Sequence, residues 1–476
     1  MLNRRDFVNM GLLTAGSCCT GCLGAGAVAG GRTYEPAPVV VARKAAFRKP
    51  GEKVRMGFIG SGGRGGANLD EFYKLGEEIV ALCDVDLNHL NGAAKHVEQS
   101  FPHVRRYQDW RRMLEEEKDL DAVVVSTPDH MHATCAIAAM ERGCHVYVEK
   151  PLVRTWWEAE RFRDVAKACG VVTQMGNNGN GMDGQRRSVE VLQSGVLGDI
   201  REIHVTTDRP IWPQGLNRPD GSDTIPDNLD WNLWLGIAPK RPYKQGAYHS
   251  FVWRGWHDFG TGALGDIGCH AMSFFWRGLD LRETLSVEMV KSTKTFSETY
   301  PAGSIVKLVV RSARQASPVT IYWYDGVTKP ENGTAPDRET SLRVTDGKSE
   351  TFSGTAIIGS KGRWWNGMVK MAGDEKFIRH QDNPATRDIP KTIPRIITPD
   401  GTSQHHREFV DAIRGGNRPF SDYDHAVPLT EMVVLGCVAQ RVPGRLDWDQ
   451  KNGRFANSDA ANALLKPHIR NTWTIG

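Results

Sequence analysis

Several absences each close off a class of protein. Beyond the N-terminal segment no apolar run approaches the ~18 residues needed to span a bilayer, so no membrane-spanning body is expected. No basic run is interleaved with aromatics, and the formal net charge is only +4 over 476 residues; nucleic acid is not an expected partner. There is no Cys-x-x-Cys pair and no disulfide-framework spacing. Cys83, Cys135, Cys144, Cys169, Cys269 and Cys437 are scattered through apolar patterns, which predicts buried free thiols. No His, Cys and Glu grouping has metal-ligand spacing, so no metal is expected, and His405-His406 reads as a solvent-facing pair. Internal repeats and low-complexity blocks are also missing.

What is present begins with glycine in one informative place. Val54-Arg-Met-Gly-Phe-Ile-Gly60-Ser-Gly62-Gly-Arg-Gly65 joins a short apolar run directly to a Gly-x-Gly-x-x-Gly turn. Gly60 permits the tight turn, Gly62 lets backbone approach a pyrophosphate, and Gly65 lets the next helix pack close. The N-terminus of that helix offers free N–H groups and a positive dipole end to phosphates. A second apolar run, Ile79-Val-Ala-Leu-Cys, ends in Asp84, where a carboxylate accepts hydrogen bonds from ribose hydroxyls and repels a 2′-phosphate. The expected cofactor is therefore NAD. Arg64, inside the turn, is placed either to reach the pyrophosphate or to face solvent.

The chain length fits two sizeable domains rather than one. After Asp84 the pattern alternates: a helix over 87–100, an extended piece at 104–107, a helix over 110–117 with Asp109 as N-cap, and a strand over 121–127 apolar throughout. A run of that kind is expected of a strand buried on both faces of a parallel sheet. A helix over 133–142, a strand over 145–149, a helix over 156–169 and a strand over 171–175 complete a doubly wound α/β domain, residues 52–175. Beyond it come a helix at 184–194 and β-rich segments at 200–208, 285–295, 304–312, 319–324 and 355–358. Loop-rich stretches cover 209–250 and 328–348, and helical patterns return at 403–414 and 425–442. The prediction is a C-terminal α/β domain over 176–450 with an open, mainly antiparallel sheet, followed by a tail, 451–476.

The first 29 residues read as a targeting segment and are set aside from the fold. Asn3-Arg4-Arg5-Asp6-Phe7 resembles a twin-arginine export motif, and Ala27-Val28-Ala29 supplies small residues for cleavage. Export through the twin-arginine machinery to the periplasm is the expectation. Cys18 leaves a lipoprotein anchor open, although Ala15-Gly-Ser-Cys18 lacks the large aliphatic residue of a good lipobox. Residues 30–51 read as a tether or arm.

Two further motifs complete a set. Glu149-Lys150-Pro151 ends the fifth strand, and Asp266-Ile-Gly-Cys-His270 lies in the second domain, inside Asp258-Phe-Gly-Thr-Gly-Ala-Leu-Gly-Asp-Ile-Gly-Cys-His270. With the glycine turn, this resembles the glucose–fructose oxidoreductase/inositol dehydrogenase/MocA-like (Gfo/Idh/MocA) family over about residues 52–450. The resemblance implies a Rossmann domain plus a substrate domain, with Lys150 at the catalytic centre and Asp266 and His270 in substrate orientation and proton transfer. Those types suit the chemistry: histidine is a competent base near neutral pH, and spacing of i and i+4 puts Asp266 and His270 on one face of a helix. Lower-ranked cofactor contacts are Thr127, Pro128 and His132 after the fourth strand, Glu149, and Asn177 with Asn178 after the sixth. Trp256 and His257 are expected near the sugar.

The family resemblance implies an oxidoreductase acting on a sugar or cyclitol secondary alcohol, in an oligomer of identical chains. Outside the cytoplasm free NAD is not regenerated, so the cofactor is expected to stay bound and be recycled, with Arg64 and the 32–50 arm as clamps. The alternative is an NAD-dependent glycosidase that oxidises C3, eliminates the aglycone, adds water and reduces again. A non-catalytic carbohydrate-binding protein is the third reading, opposed by intact Lys150 and His270.

Overall fold

The computed structural model describes Tyr34 and residues 38–398, 401–470 and 473–475. The targeting motif therefore lies outside the described residues. The first domain alternates strand and helix: β1 (Arg55–Ile59), α1 (Arg64–Lys74), β2 (Glu78–Cys83), α2 (Leu87–Val97), β3 (Arg105–Tyr107), α3 (Trp110–Glu116), β4 (Ala122–Val125), α4 (His132–Glu141), β5 (His145–Val148), α5 (Trp156–Cys169) and β6 (Thr173–Met175). Its six strands are parallel, in the order β3-β2-β1-β4-β5-β6. Local chemistry explains the boundaries. Asp86 and Asp109 cap α2 and α3 through backbone N–H groups, and Thr155 with Glu158 forms a capping box on α5, which Gly170 ends in the left-handed conformation. All four residues of β4 are buried, as its unbroken apolar run requires of a central parallel strand. The order reverses between β1 and β4, so a crevice opens at their carboxyl ends.

The second domain contains α6 (Asp183–Gln193), β7 (Ile200–Thr206), α7 (Trp231–Leu235), α8 (Gly262–Gly278), β8 (Leu281–Ser292), β9 (Ser304–Ser312), β10 (Val319–Asp325), α9 (Arg338–Val344), β11 (Thr355–Gly359), β12 (Gly362–Trp365), β13 (Met368–Met371), β14 (Ile378–Arg379), α10 (Gln404–Ile413), α11 (Tyr423–Ala439), β15 (Arg445–Asp449) and β16 (Arg454–Phe455). Ten strands form one sheet, β14-β13-β12-β11-β7-β10-β9-β8-β15-β16, in which β7 and β10 run parallel and the other pairings are antiparallel. Helices α8 and α11 pack together against it. The six cysteines of the body are buried and free.

Three segments sit elsewhere than the sequence reading placed them. The described part of the arm, Tyr34 and residues 38–51, makes its contacts away from the glycine turn. Arg43 donates to the Lys118, Leu120 and Arg142 carbonyls, and Arg48 pairs with Asp121, so it lies along the amino ends of β4 and β5. Helix α10 returns to the first domain: Phe409, Val410 and Ile413 join the core formed by Phe58, Phe72 and Tyr147. His405 and His406, expected in solvent, are 1% and 0% exposed. His405 Nε2 lies 3.0 Å from the Met175 carbonyl, and His406 stacks on Tyr147 with Nε2 3.0 Å from Asn68 Oδ1. The tail is equally committed, with β16 in the sheet and Arg470 donating to the Gly236 and Asn232 carbonyls.

Candidate active site

A cavity of about 540 Å³ opens at the β1/β4 crevice. At one end is the glycine turn. A Cβ on Gly65 would stand 2.0 Å from the Gly60 carbonyl oxygen, and one on Gly60, where φ is +83°, would stand 2.6 Å from the Ser126 carbonyl oxygen. No other residue fits either position. Gly63 begins α1 without a side-chain cap; the Gly65 and Gly66 N–H groups turn back to the Gly62 carbonyl, so what the turn offers an anion is the positive end of the helix dipole. Asp84, 8% exposed, does two jobs: Oδ2 accepts from the Ser61 and Gly62 N–H groups at 2.9 and 3.1 Å, and Oδ1 from Asp86 N–H at 2.9 Å. It shapes the turn while presenting a carboxylate in the cavity wall.

Arg64 also lines the wall, its Nε 2.9 Å from Glu149 Oε1. Glu149 is buried and further accepts from Asn68. Burial pushes its pKa up, but Arg64 and the Asn68 hydrogen bond outweigh that and hold it below the usual carboxylate range. Thr127, Pro128 and His132 are in the wall as well. The ring of His132 joins two strand ends, lying 2.8 Å from the Pro151 carbonyl and 2.9 Å from that of Thr127. Asn178 is a lining residue, whereas the Asn177 side chain turns inward and donates to the Cys269 carbonyl at 2.8 Å. Asn177 thus ties β6 to α8 and does not stand in the cavity wall.

The other end of the cavity gathers charge. Lys150 Nζ donates to Asp266 Oδ1 at 2.6 Å and to the Asp266 carbonyl at 2.9 Å. Segment 262–278 is helical, so Asp266 and His270 share a face of α8 as their spacing predicts. Asp266 is buried, which alone would raise its pKa, yet Lys150 and Arg254 hold it low. Burial, with Lys150 nearby, pushes His270 down to about 4; at neutral pH its ring is uncharged and able to accept a proton. Lys150, Asp266 and His270, far apart in sequence, are therefore neighbours.

The sequence reading missed two features, Arg254 and a clasp across the glycine-turn end. Arg254 Nε donates to the same Asp266 oxygen at 3.0 Å. Of the tryptophans that cluster in this part of the sequence, whose indole faces suit a sugar ring, Trp234 and Trp253 line the cavity; Trp256, expected near the sugar, is instead core in the cluster around Trp231 and Phe259, and His257 lines a second cavity with Tyr300 and Arg441. Most importantly, the loop 209–250 closes over the glycine-turn end. Asp86 accepts from Asn228 Nδ2 at 2.6 Å and lies 2.9 Å from His249 Nε2, while Leu87 N–H donates to the Asn228 carbonyl and Asp230 N–H to that of Val85. Asp86, His89 and His249 bring ligand-type atoms within 4.8 Å of one another, a cluster that this clasp explains. Its only sequence signal is Asp86 two residues past Asp84; partners more than a hundred residues away carry none.

Glycine positions a Cβ would fill, the positive end of α1, a carboxylate at the end of β2 and a charged far end together fit a dinucleotide lying along the cavity. The comparisons agree. Curated relatives include a glycosyl hydrolase family 109 protein of Shewanella sp. (strain ANA-3), 34% identical over 155 residues, covering 31% of this chain and 34% of that protein. An α-N-acetylgalactosaminidase of Shewanella oneidensis matches to the same extent. The chain thus spans about a third of these relatives. Among solved structures, the WlbA dehydrogenase of Bordetella pertussis, in complex with NADH and UDP-GlcNAcA, superposes with a TM-score of 0.57 at 17% identity, covering 83% of this chain and 98% of that one. An inositol dehydrogenase homologue of Azotobacter vinelandii, complexed with NADH and myo-inositol, gives 0.53 at 18% identity, covering 85% and 99%. At such identities these two establish shared fold. Residues 54–177 match the NAD-binding Rossmann-fold model, and residues 191–295 the C-terminal α/β-domain model, of the Gfo/Idh/MocA oxidoreductase family.

Proposed function

We propose that the protein is an NAD-dependent oxidoreductase that acts on a secondary alcohol of a sugar or cyclitol. One observation carries the reading: Lys150, Asp266 and an uncharged His270 meet at one end of a cavity whose other end is the glycine turn. Bound NAD supplies a hydride acceptor. The residues do the rest. His270 takes the hydroxyl proton as the carbon is oxidised. The Lys150 ammonium, aimed by Asp266, stabilises the developing alkoxide. Asp84 disfavours a 2′-phosphate, which selects NAD over NADP.

The reading extends to an exported protein whose cofactor is recycled without leaving. The described part of the arm contacts the amino ends of β4 and β5 of its own chain, so an arm clamp would come from a neighbouring chain; within the chain the Asp86–His249 and Asp86–Asn228 contacts support retention. A second reading, an NAD-dependent glycosidase, is favoured by the names of the curated relatives. Incubating the purified protein with aryl glycosides and free sugars separates the two. A keto sugar with bound nicotinamide reduced supports the oxidoreductase; release of phenol with no net redox supports the glycosidase; neither outcome overturns both.

A further inference from the structure

The substrate end holds two cations on one carboxylate oxygen. Lys150 Nζ and Arg254 Nε both donate to Asp266 Oδ1. Of the other ionisable groups of this wall, Glu149 is paired with Arg64, His270 is uncharged at neutral pH, and Asp129, which accepts from the Thr261 hydroxyl at 2.7 Å, is fully buried, which pushes its pKa up and disfavours its charged form. Arg254 is held more rigidly than a surface arginine. Its guanidinium lies 4.5 Å from the Phe251 ring centre and 4.4 Å from that of Trp253, with Trp212 at 5.8 Å, and Nη1 donates to the Phe251 carbonyl. Among the described residues Nη2 has no hydrogen-bond acceptor, and Arg254 lines the cavity. Phe251, 45% exposed, adds an open ring face beside it.

A guanidinium fixed between aromatic rings with Nη2 unused offers a charge-assisted donor, which favours a carboxylate over a hydroxyl. A largely buried cation at the cavity wall also favours an anionic occupant over a neutral one. We propose that Arg254 is a specificity residue whose free Nη2 receives a carboxylate, so that the preferred substrate is an acidic sugar or cyclitol rather than a neutral one. This rests on the oxidoreductase reading of the same cavity. It gives the Arg254–Asp266 pair a second purpose: the carboxylate of the protein fixes the guanidinium, and the carboxylate of the substrate takes its unused donor.

The test uses the full-length protein with its bound cofactor, and D-glucuronate and D-galacturonate against D-glucose and D-galactose. Binding is read from nicotinamide fluorescence, and oxidation from nicotinamide absorbance. A charge-assisted contact of this kind predicts an acid-over-neutral binding preference of roughly 10- to 100-fold. In Arg254→Gln that preference collapses, and in Arg254→Lys it survives in part, because charge is kept and the fixed guanidinium is lost. Equal binding of acids and parent sugars by the wild type overturns the inference, as does a preference that persists unchanged in Arg254→Gln. Reduction of nicotinamide by neutral sugars without acid preference leaves the oxidoreductase reading standing while removing this one. Acid-selective binding with no nicotinamide reduction does the reverse.

Discussion

The two ends of the one cavity are built by different means. The glycine-turn end is mostly backbone: N–H groups of Ser61 and Gly62 bound to Asp84, and glycines that no Cβ could replace. The substrate end is side chain: Lys150 from the end of β5, Asp266 and His270 from α8, and Arg254 from the loop before it. The first end is assembled from a contiguous stretch and one strand further on. The second exists only once the two domains have met. On the proposed function, backbone would recognise what every dinucleotide shares, whereas convergent side chains would set which alcohol is oxidised.

If that division is right, the largest effects belong to the side-chain end. Lys150→Met and His270→Ala should each lower turnover by about 100-fold or more, since each removes a proton-transfer or alkoxide-stabilising group. Cofactor content, measured by nicotinamide absorbance of the purified variants, should stay at the wild-type level. Gly65→Ala should do the opposite. A Cβ 2.0 Å from the Gly60 carbonyl oxygen forces the turn open, so the variant should purify without cofactor and unfold with about 1–3 kcal/mol less stability. A Gly65→Ala protein that keeps its nicotinamide would break the comparison.

A pH series sharpens it. His270 sits at about 4 because burial and Lys150 oppose its charge, so the acid limb of kcat/KM should fall near there and not near the ~6.5 of a free imidazole. Stability must be followed alongside. His130 and His405 are pushed down to about 3 by burial, and His145 and His270 to about 4. Between those values and ~6.5 the unfolded chain binds more protons than the folded one, so stability rises with pH and is lost as pH falls below ~6.5. Thermal unfolding across that range checks the sign. The smallest effect expected is at the clasp: His249→Ala removes one contact to Asp86 and should speed cofactor dissociation by up to roughly tenfold.

The same contrast governs what could be read from the sequence. The first domain was legible because its signals are local: the turn, the apolar run of β4, the Asp109 cap and the 156–169 helix each lie within a few residues of what they specify. The two-residue strands β14 and β16 were not, because nothing that short carries a period. Helix α10 read correctly as a helix, yet its docking on Phe72 and Tyr147 is a tertiary fact, and His405 and His406 were misread as exposed for that reason. Lys150, Asp266 and His270 emerged through a family resemblance, since no spacing links residue 150 to residue 266. Arg254 and the Asp86–His249 clasp belong to no motif. Their meaning comes from partners brought close by the fold.

The central claim, a resident nicotinamide facing a proton-accepting His270 and a charge-stabilising Lys150, is tested most directly without added cofactor. The protein is purified, dialysed and mixed anaerobically with sugars and cyclitols while the nicotinamide absorbance is followed. The account predicts NAD(H) bound at about one per chain, reduced by substrate and reoxidised by a carbonyl acceptor in alternating additions. Protein that arrives empty and turns over only when NAD is supplied, or that carries NADP(H), would contradict it.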